Sequence, residues 1–202
     1  GLSDAAYDAL EPVRWPMRGA GGTPRLFSDG VFATPSGRAR FVAPASTVER
    51  LANESAFPLT LNSGRLRDQW HTMTRTGLAP VLGANAPEPV AEMHEEDARA
   101  AGIADGGLMR VVTEYGSGIF RASVTQAQQR GSLFVPIHWS DVNSAMSSAG
   151  RMVHPEVDPI SGQRAFKHAP ARAEDVMRLW GGLFLSGEEI AARGCGYWAS
   201  RA

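Results

Sequence analysis

Apolar residues recur in short runs along most of this chain, not at the three-and-four spacing of helices. Phe57–Leu61 is one run, stopping at Asn62-Ser63-Gly64, and Val90–Met93 is a second. Leu108–Thr113 and Gly118–Thr125 read as partners across Tyr115-Gly116-Ser117, and Ser132–Ile137 follows Arg130-Gly131. Such runs, bounded by Gly, Asn and Pro, predict buried or half-buried strands; Ala169–Met177 reads as a last one. Arg25–Val42 reads as hairpins turning at Ser28-Asp29-Gly30 and Pro35-Ser36-Gly37. Helix signals are fewer. A short start lies at Asp4–Leu10, and one turn is expected inside the Gly- and Pro-rich stretch from Gly77 to Pro89. His94 stands before Glu95-Glu96-Asp97, an acidic first turn that suits a helix N-terminus and closes at Gly102. The tail from Trp180 to Ala202 reads as a weak amphipathic helix. Short strands with few helices predict a mainly β fold with some helix, closed or nearly closed. The barrel is expected within 51–177, with lead-in hairpins and a linker over 1–50 and a tail over 178–202.

Composition narrows the function classes. The 202 residues are 43% hydrophobic and 20% charged, with net charge −1, so no basic field argues for nucleic acid. No apolar run approaches the about 18 residues of a membrane span, so no membrane partner is expected. The single cysteine, Cys195, excludes an internal disulfide and any Cys-rich zinc or iron–sulfur site built from this chain alone. Five histidines are scattered without metal-ligand spacing, and no metal site is expected. No His-Glu-x-x-His, Gly-x-Ser-x-Gly or Walker-type loop occurs. The cations are skewed: of twenty, nineteen are Arg and one, Lys167, is Lys. The chain opens on Gly1 without a charged-then-apolar leader and is read as processed or as part of something longer.

The densest chemistry follows the first apolar run: Asn62-Ser63-Gly64-Arg65-Leu66-Arg67-Asp68-Gln69-Trp70-His71-Thr72-Met73-Thr74-Arg75. Ser63-Gly64 permits a tight turn with exposed N–H groups. Arg65, Arg67 and Arg75 carry planar forks that match phosphate oxygens. Asp68 and Gln69 can address a heterocycle edge, and Trp70 and His71 offer flat faces. Together they outline a binder of an anion joined to a heterocycle. The competing reading is a polar loop whose arginines pair with carboxylates of the same fold.

This stretch, with Phe134-Val135-Pro136-Ile137-His138-Trp139-Ser140-Asp141 and Asp158-Pro159-Ile160-Ser161-Gly162-Gln163-Arg164-Ala165-Phe166-Lys167-His168, resembles the C-terminal molybdopterin-dinucleotide-binding domain of the molybdenum oxidoreductases. The likeness covers roughly 20–175, and the Arg-Asp-Gln-Trp-His-Thr-Met-Thr run is similar to bacterial assimilatory nitrate reductases. The resemblance implies a six-stranded double-psi β-barrel with decorating N- and C-terminal extensions. It also implies that Ser63, Gly64, Arg65, Arg67, Asp68, Gln69, Trp70, His71 and Thr72 line molybdopterin guanine dinucleotide, joined by His138, Trp139 and Lys167. Many relatives carry an Asn where this chain has Gly150, leaving Asn143 or Arg151 as substitutes.

The same resemblance implies a molybdenum enzyme that reduces nitrate to nitrite, located in the cytoplasm. Its partners would be the N-terminal domains of the same enzyme and an unidentified electron donor. Molybdenum and an iron–sulfur cluster would be held outside this chain, which contributes no catalytic residue and is expected to be inactive alone. A formate dehydrogenase or periplasmic nitrate reductase would carry the same domain, and a non-enzymatic binding barrel is the remaining alternative.

Overall fold

Six strands form where the apolar runs lie, and the first two alternate in burial along their whole length. In β1 (Leu59–Gly64) Leu59, Leu61 and Ser63 are buried while Thr60, Asn62 and Gly64 are half-buried. The others are β2 (Val90–Met93), β3 (Leu108–Thr113), β4 (Gly116–Val124), β5 (Ser132–Pro136) and β6 (Lys167–Val176). They close into a barrel in the order β1-β5-β2-β4-β3-β6. The β1–β5 and β2–β4 pairs are parallel and the rest antiparallel. A barrel this small must be filled by side chains. Phe120, Leu61, Met93, Met109 and Leu133 fill it, with Ala91, Ala122, Ala169 and Ala171 where no room is left for more. The computed structural model describes residues 2–14, 17–18, 21–22, 25–43, 56–188, 190 and 194–200.

Two barrel segments depart from expectation in ways that matter to function. Asn62-Ser63-Gly64 does not end β1 in a turn; it stays in the ladder, opposite Phe134, Val135 and Pro136 of β5. The parallel neighbour supplies partners to the end, where Gly64 still accepts from the Ile137 amide at 3.0 Å. Gly64 is needed because a Cβ there would lie 2.8 Å from the Phe134 ring. β6 starts at Lys167, earlier than expected. Leu61 faces Ala169 and Asn62 faces Lys167, so His168 is an extra residue, bulged out at φ 64°.

The helix after β2 forms as its acidic turn implies, over Glu95–Ala101, with the His94 ring accepting from the Glu96 amide at 3.2 Å. The expected turn of helix before β2 appears at Pro80–Gly83. The tail is corrected: among the described residues no helix forms after Val176. Gly181-Gly182 disfavours one, and Leu179, Leu183 and Leu185 are exposed, leaving no apolar face packed.

Chain contacts separate Gly1–Thr47 from Val48–Ala202. The first unit holds a helix, Asp4–Asp8, capped by Ser3, and a two-stranded ribbon of Met17–Arg18 with Gly21–Gly22. Turns occur near both expected points in 25–42, with Gly30 donating to Phe27 and Gly37 to Thr34, but no strands pair there. Two short exposed arms cannot bury enough to hold a hairpin. The expected boundary at 50/51 lies outside the described residues.

The long connection from β5 to β6 is stitched to β4. Met146 accepts from the Ile119 amide at 2.9 Å, and the Ser147 hydroxyl donates to the Ile119 carbonyl at 2.8 Å. Gly118 permits this approach, since a Cβ there would meet the Met146 carbonyl oxygen at 2.8 Å. Gly118→Ala should therefore lower stability by about 1–3 kcal/mol, the usual range for forcing an atom into a filled space. Urea denaturation of the two proteins checks it, and equal midpoints would refute the docking argument.

Candidate functional site

The loop between β1 and Pro80 is held by groups that already have partners. His138, fully buried just after β5, bridges it: Nε2 lies 2.8 Å from the Leu66 amide and Nδ1 lies 2.5 Å from the His71 carbonyl. An amide can only donate and a carbonyl can only accept, so the ring is neutral with its proton on Nδ1. Burial pushes the imidazole below its ordinary value, and the charges of Arg65 and His71 act in the same direction, against the bond to the His71 carbonyl. Gln69 is the second brace. Its amide donates to the Leu82 carbonyl at 3.1 Å, and its carbonyl accepts from the Thr76 hydroxyl at 2.7 Å. Within this frame His71 (φ 42°) and Met73 (φ 61°) take left-handed conformations that cost non-glycine residues energy. The bonds from His138 and Gln69 offset that cost.

The residues proposed from sequence fall into two groups. Ser63, His138 and Gln69 are buried and bonded inside the chain; the Ser63 hydroxyl donates to the Phe166 carbonyl at 2.7 Å. Arg65, Arg67, Trp70, His71 and Thr72 are exposed on the loop. Arg67 and Asp68, adjacent in sequence, grip each other at 2.8 and 2.7 Å, which raises the guanidinium pKa and lowers that of the carboxyl. Arg65 lies 4.5 Å from the centre of the Trp70 ring, and His71 meets the same indole edge-on. The arginines thus present one stacked and one self-paired guanidinium, not a uniform positive face.

Lys167 reaches the end of β1, where its ammonium donates to the Ser63 carbonyl. The bulge at His168 makes this possible by placing Lys167 opposite Asn62. An ammonium has three donors, so two remain for a ligand. The Asp158 turn ahead of β6 forms as its residues imply; amides of Ile160 and Ser161 and the Ser161 hydroxyl hold its carboxylate below the usual range.

Beside the loop lies a cavity of about 330 Å³ lined by Gln69, Thr72, Met73, Trp139, Asn143 and Ser200, among others. Trp139 is 3% exposed, and its indole N–H has no partner among the described residues; Asn62 Oδ1 is likewise unpartnered. Trp139 contributes to the cavity lining, while both unpartnered atoms are themselves under cover. Of the two substitutes for the missing Asn, Asn143 reaches the cavity, whereas Arg151 pairs with Asp141 at 2.6 Å. Ser200 had no local sequence signal. Among the described residues no three His, Cys, Asp or Glu gather to hold a metal ion, and no helix is long and apolar enough to cross a membrane.

A closed barrel whose first strand delivers a braced loop beside a cavity is the frame of a ligand-binding domain. Residues 59–170 match the molydopterin dinucleotide binding domain family, and the chain belongs to it. The nitrate reductase of Klebsiella oxytoca is 35% identical over 201 residues, all of this chain but 23% of that protein. Formate dehydrogenase H of Escherichia coli is 29% identical, over 81% of this chain and 23% of its own length. The chain thus spans about a quarter of the length of these relatives. In fold it is similar to the acetylene hydratase of Pelobacter acetylenicus, at a TM-score of 0.52 and 20% identity, over 59% of this chain and 18% of that one.

The bridging imidazole predicts a pH dependence. Its folded pKa lies below the 6.5 of an ordinary imidazole, so below that pH the unfolded chain takes up the proton first. The stability it contributes is complete above about pH 6.5 and is lost as pH falls toward the folded value. His138→Ala should cost about 2–4 kcal/mol at pH 8, from a cavity and two stranded polar groups. Its stability should also change less between pH 7 and 5 than that of the wild type. Urea titrations across that range check both, and parallel pH profiles would refute the assignment.

Proposed function

We propose that this chain is the C-terminal cofactor domain of a longer molybdenum oxidoreductase that reduces nitrate to nitrite in the cytoplasm, and that its dinucleotide carries guanine. The observation that carries the reading is the braced loop, with Arg65, Trp70 and Thr72 exposed on it, beside a cavity lined by Trp139 and Asn143. The choice of nitrate rests on 35% identity along the whole chain. Formate oxidation is the second reading, supported by the 29% identity of formate dehydrogenase H.

The bound group supplies the redox chemistry; the protein's part is to hold and orient it. The Arg65 fork and the free donors of Lys167 would meet phosphate oxygens. Trp139 forms part of the cavity wall, and Asn143 and Thr72 can add polar contacts there. His138 and Gln69 hold the loop in position before any ligand arrives, so little loop ordering is left to oppose binding. One cysteine cannot ligate a four-iron cluster. The N-terminal domains of the same protein are therefore the proposed partner that carries electrons and covers the other half of the cofactor.

The full-length gene product should contain molybdenum and release GMP on acid hydrolysis. It should reduce nitrate with a reduced viologen donor and leave formate unoxidised, while the isolated 202-residue chain turns over neither. Formate oxidation without nitrate reduction would select the second reading. Lys167→Arg should lower GMP content, because a planar fork cannot both bond the Ser63 carbonyl and present the same point charge; full GMP content in that variant would remove Lys167 from the binding set.

A further inference from the structure

The last described residues of the tail return to the barrel after an exposed excursion. Met177, Leu179, Leu183 and Leu185 are all at least 80% exposed, but Tyr197, Trp198 and Ala199 are half-buried. Ala199 forms an antiparallel bridge with Ser144. The Trp198 carbonyl accepts from the Ala145 amide at 2.9 Å, and the Ser200 amide donates to the Asn143 carbonyl at 2.8 Å. These bonds fall on the loop that carries Trp139 and Asn143 into the cavity. The Asn143 side chain is also committed there, accepting from the Ser140 amide at 2.9 Å.

The other end of the segment is tied to the opposite wall. The Tyr197 hydroxyl donates to Glu88 Oε2 at 3.0 Å, and Glu88 follows Ala86-Pro87, which line the cavity. Arg121 on β4 holds the same carboxylate with two bonds of 3.0 Å. Burial, reinforced by the Glu88 charge, pushes the Tyr197 phenol well above its ordinary value, so it remains a donor. One wall is thus bonded to Trp198 and Ser200 and the other to Tyr197, and Ser200 itself lines the space between.

We propose that residues 197–200 are a strap that completes the dinucleotide cavity, with Tyr197 anchoring it to the Glu88–Arg121 pair and Ser200 forming part of the wall. The proposal rests on the cavity being the dinucleotide site. Tyr197 and Ser200 are positioning and wall residues, not catalytic ones. Separating Trp139 from Pro87 requires breaking a bond at one end of the strap or the other, so the strap opposes opening of the cavity and slows loss of the ligand.

The test uses the full-length protein and GMP released by acid as the readout. Tyr197→Phe keeps the ring and leaves Glu88 paired with Arg121, removing only the anchor. Ser200→Phe keeps both backbone bonds and fills the cavity at an exposed residue, so folding is spared; thermal melts confirm that both variants are folded. Tyr197→Phe should lose GMP on dilution and desalting about tenfold faster than wild type, the effect of one hydrogen bond to a charged acceptor, and Ser200→Phe should also retain less GMP than wild type, because its ring takes up cavity space. Wild type free of GMP would sink the cofactor reading and the strap with it. A loaded wild type with both variants equally retentive would sink the strap alone. Loss in Ser200→Phe only would keep the wall and overturn the Tyr197 anchor, and this variant decides the matter if Tyr197→Phe does not fold.

Discussion

A single buried imidazole holds the loop on which the site depends. The loop leaves β1 at Gly64 and must place Arg65, Trp70, His71 and Thr72 at the surface while its own backbone groups go under cover. An amide at Leu66 and a carbonyl at His71 would each be stranded without a partner, and few side chains serve one of each. Neutral histidine does, because its two nitrogens take opposite roles. The β5 strand brings it there: Pro136 ends the ladder opposite Gly64, Ile137 adds one more bond, and the next residue is His138. The parallel pairing of β1 and β5 and the loop geometry are one design, since moving the register by one residue would send His138 to the other face.

The positive charges are organised by neighbours and not by sum. Three arginines in the cluster suggest a pyrophosphate clamp, but Arg67 is satisfied by Asp68 beside it and Arg65 lies on Trp70. Both pairs are exposed and individually weak. Their effect is on shape: a stacked guanidinium is aimed, and a self-paired one contributes little field. Arg67 pairs with its own neighbour and not with a carboxylate elsewhere in the fold, while Arg65 is held over an aromatic face.

What was legible in sequence divides by range. The helix after His94 depends on residues within one turn of one another, and its acid-rich start and Gly102 end are found where they were expected. The strands followed from short apolar runs bounded by turn residues, but the end of β1 did not. Asn62-Ser63-Gly64 has turn chemistry locally, and it stays extended because of the distant partner strands, β5 along all three residues and β6 at Asn62. The tail failed for the same reason in reverse. Its apolar residues suggested a helix face, yet Leu183 and Leu185 stay exposed and the half-buried residues 197–199 are held by distant segments in a non-helical conformation. The Tyr197–Glu88–Arg121 cluster joins three distant segments and leaves no trace in spacing. The family likeness located the loop and Lys167; it did not separate side chains that brace from side chains left open to a ligand. That division emerged only from the bond partners of Ser63, Gln69 and His138.

The lone lysine can now be placed in this physical picture. In a chain with nineteen arginines, one lysine could be an accident of composition. Its surroundings argue otherwise. Lys167 sits at the mouth of β1, where Gly64 lacks a side chain because the Phe134 ring fills that space, and a Cβ on Gly64 would come within 3.8 Å of Nζ. The ammonium is compact enough to reach the Ser63 carbonyl past that ring and keep donors to spare. A guanidinium is broader, planar and directed. The bulge at His168, a left-handed residue that a regular strand would not contain, is what sets Lys167 opposite Asn62. A strained backbone residue, a missing Cβ and a compact cation therefore serve one arrangement, in which each explains the presence of the others.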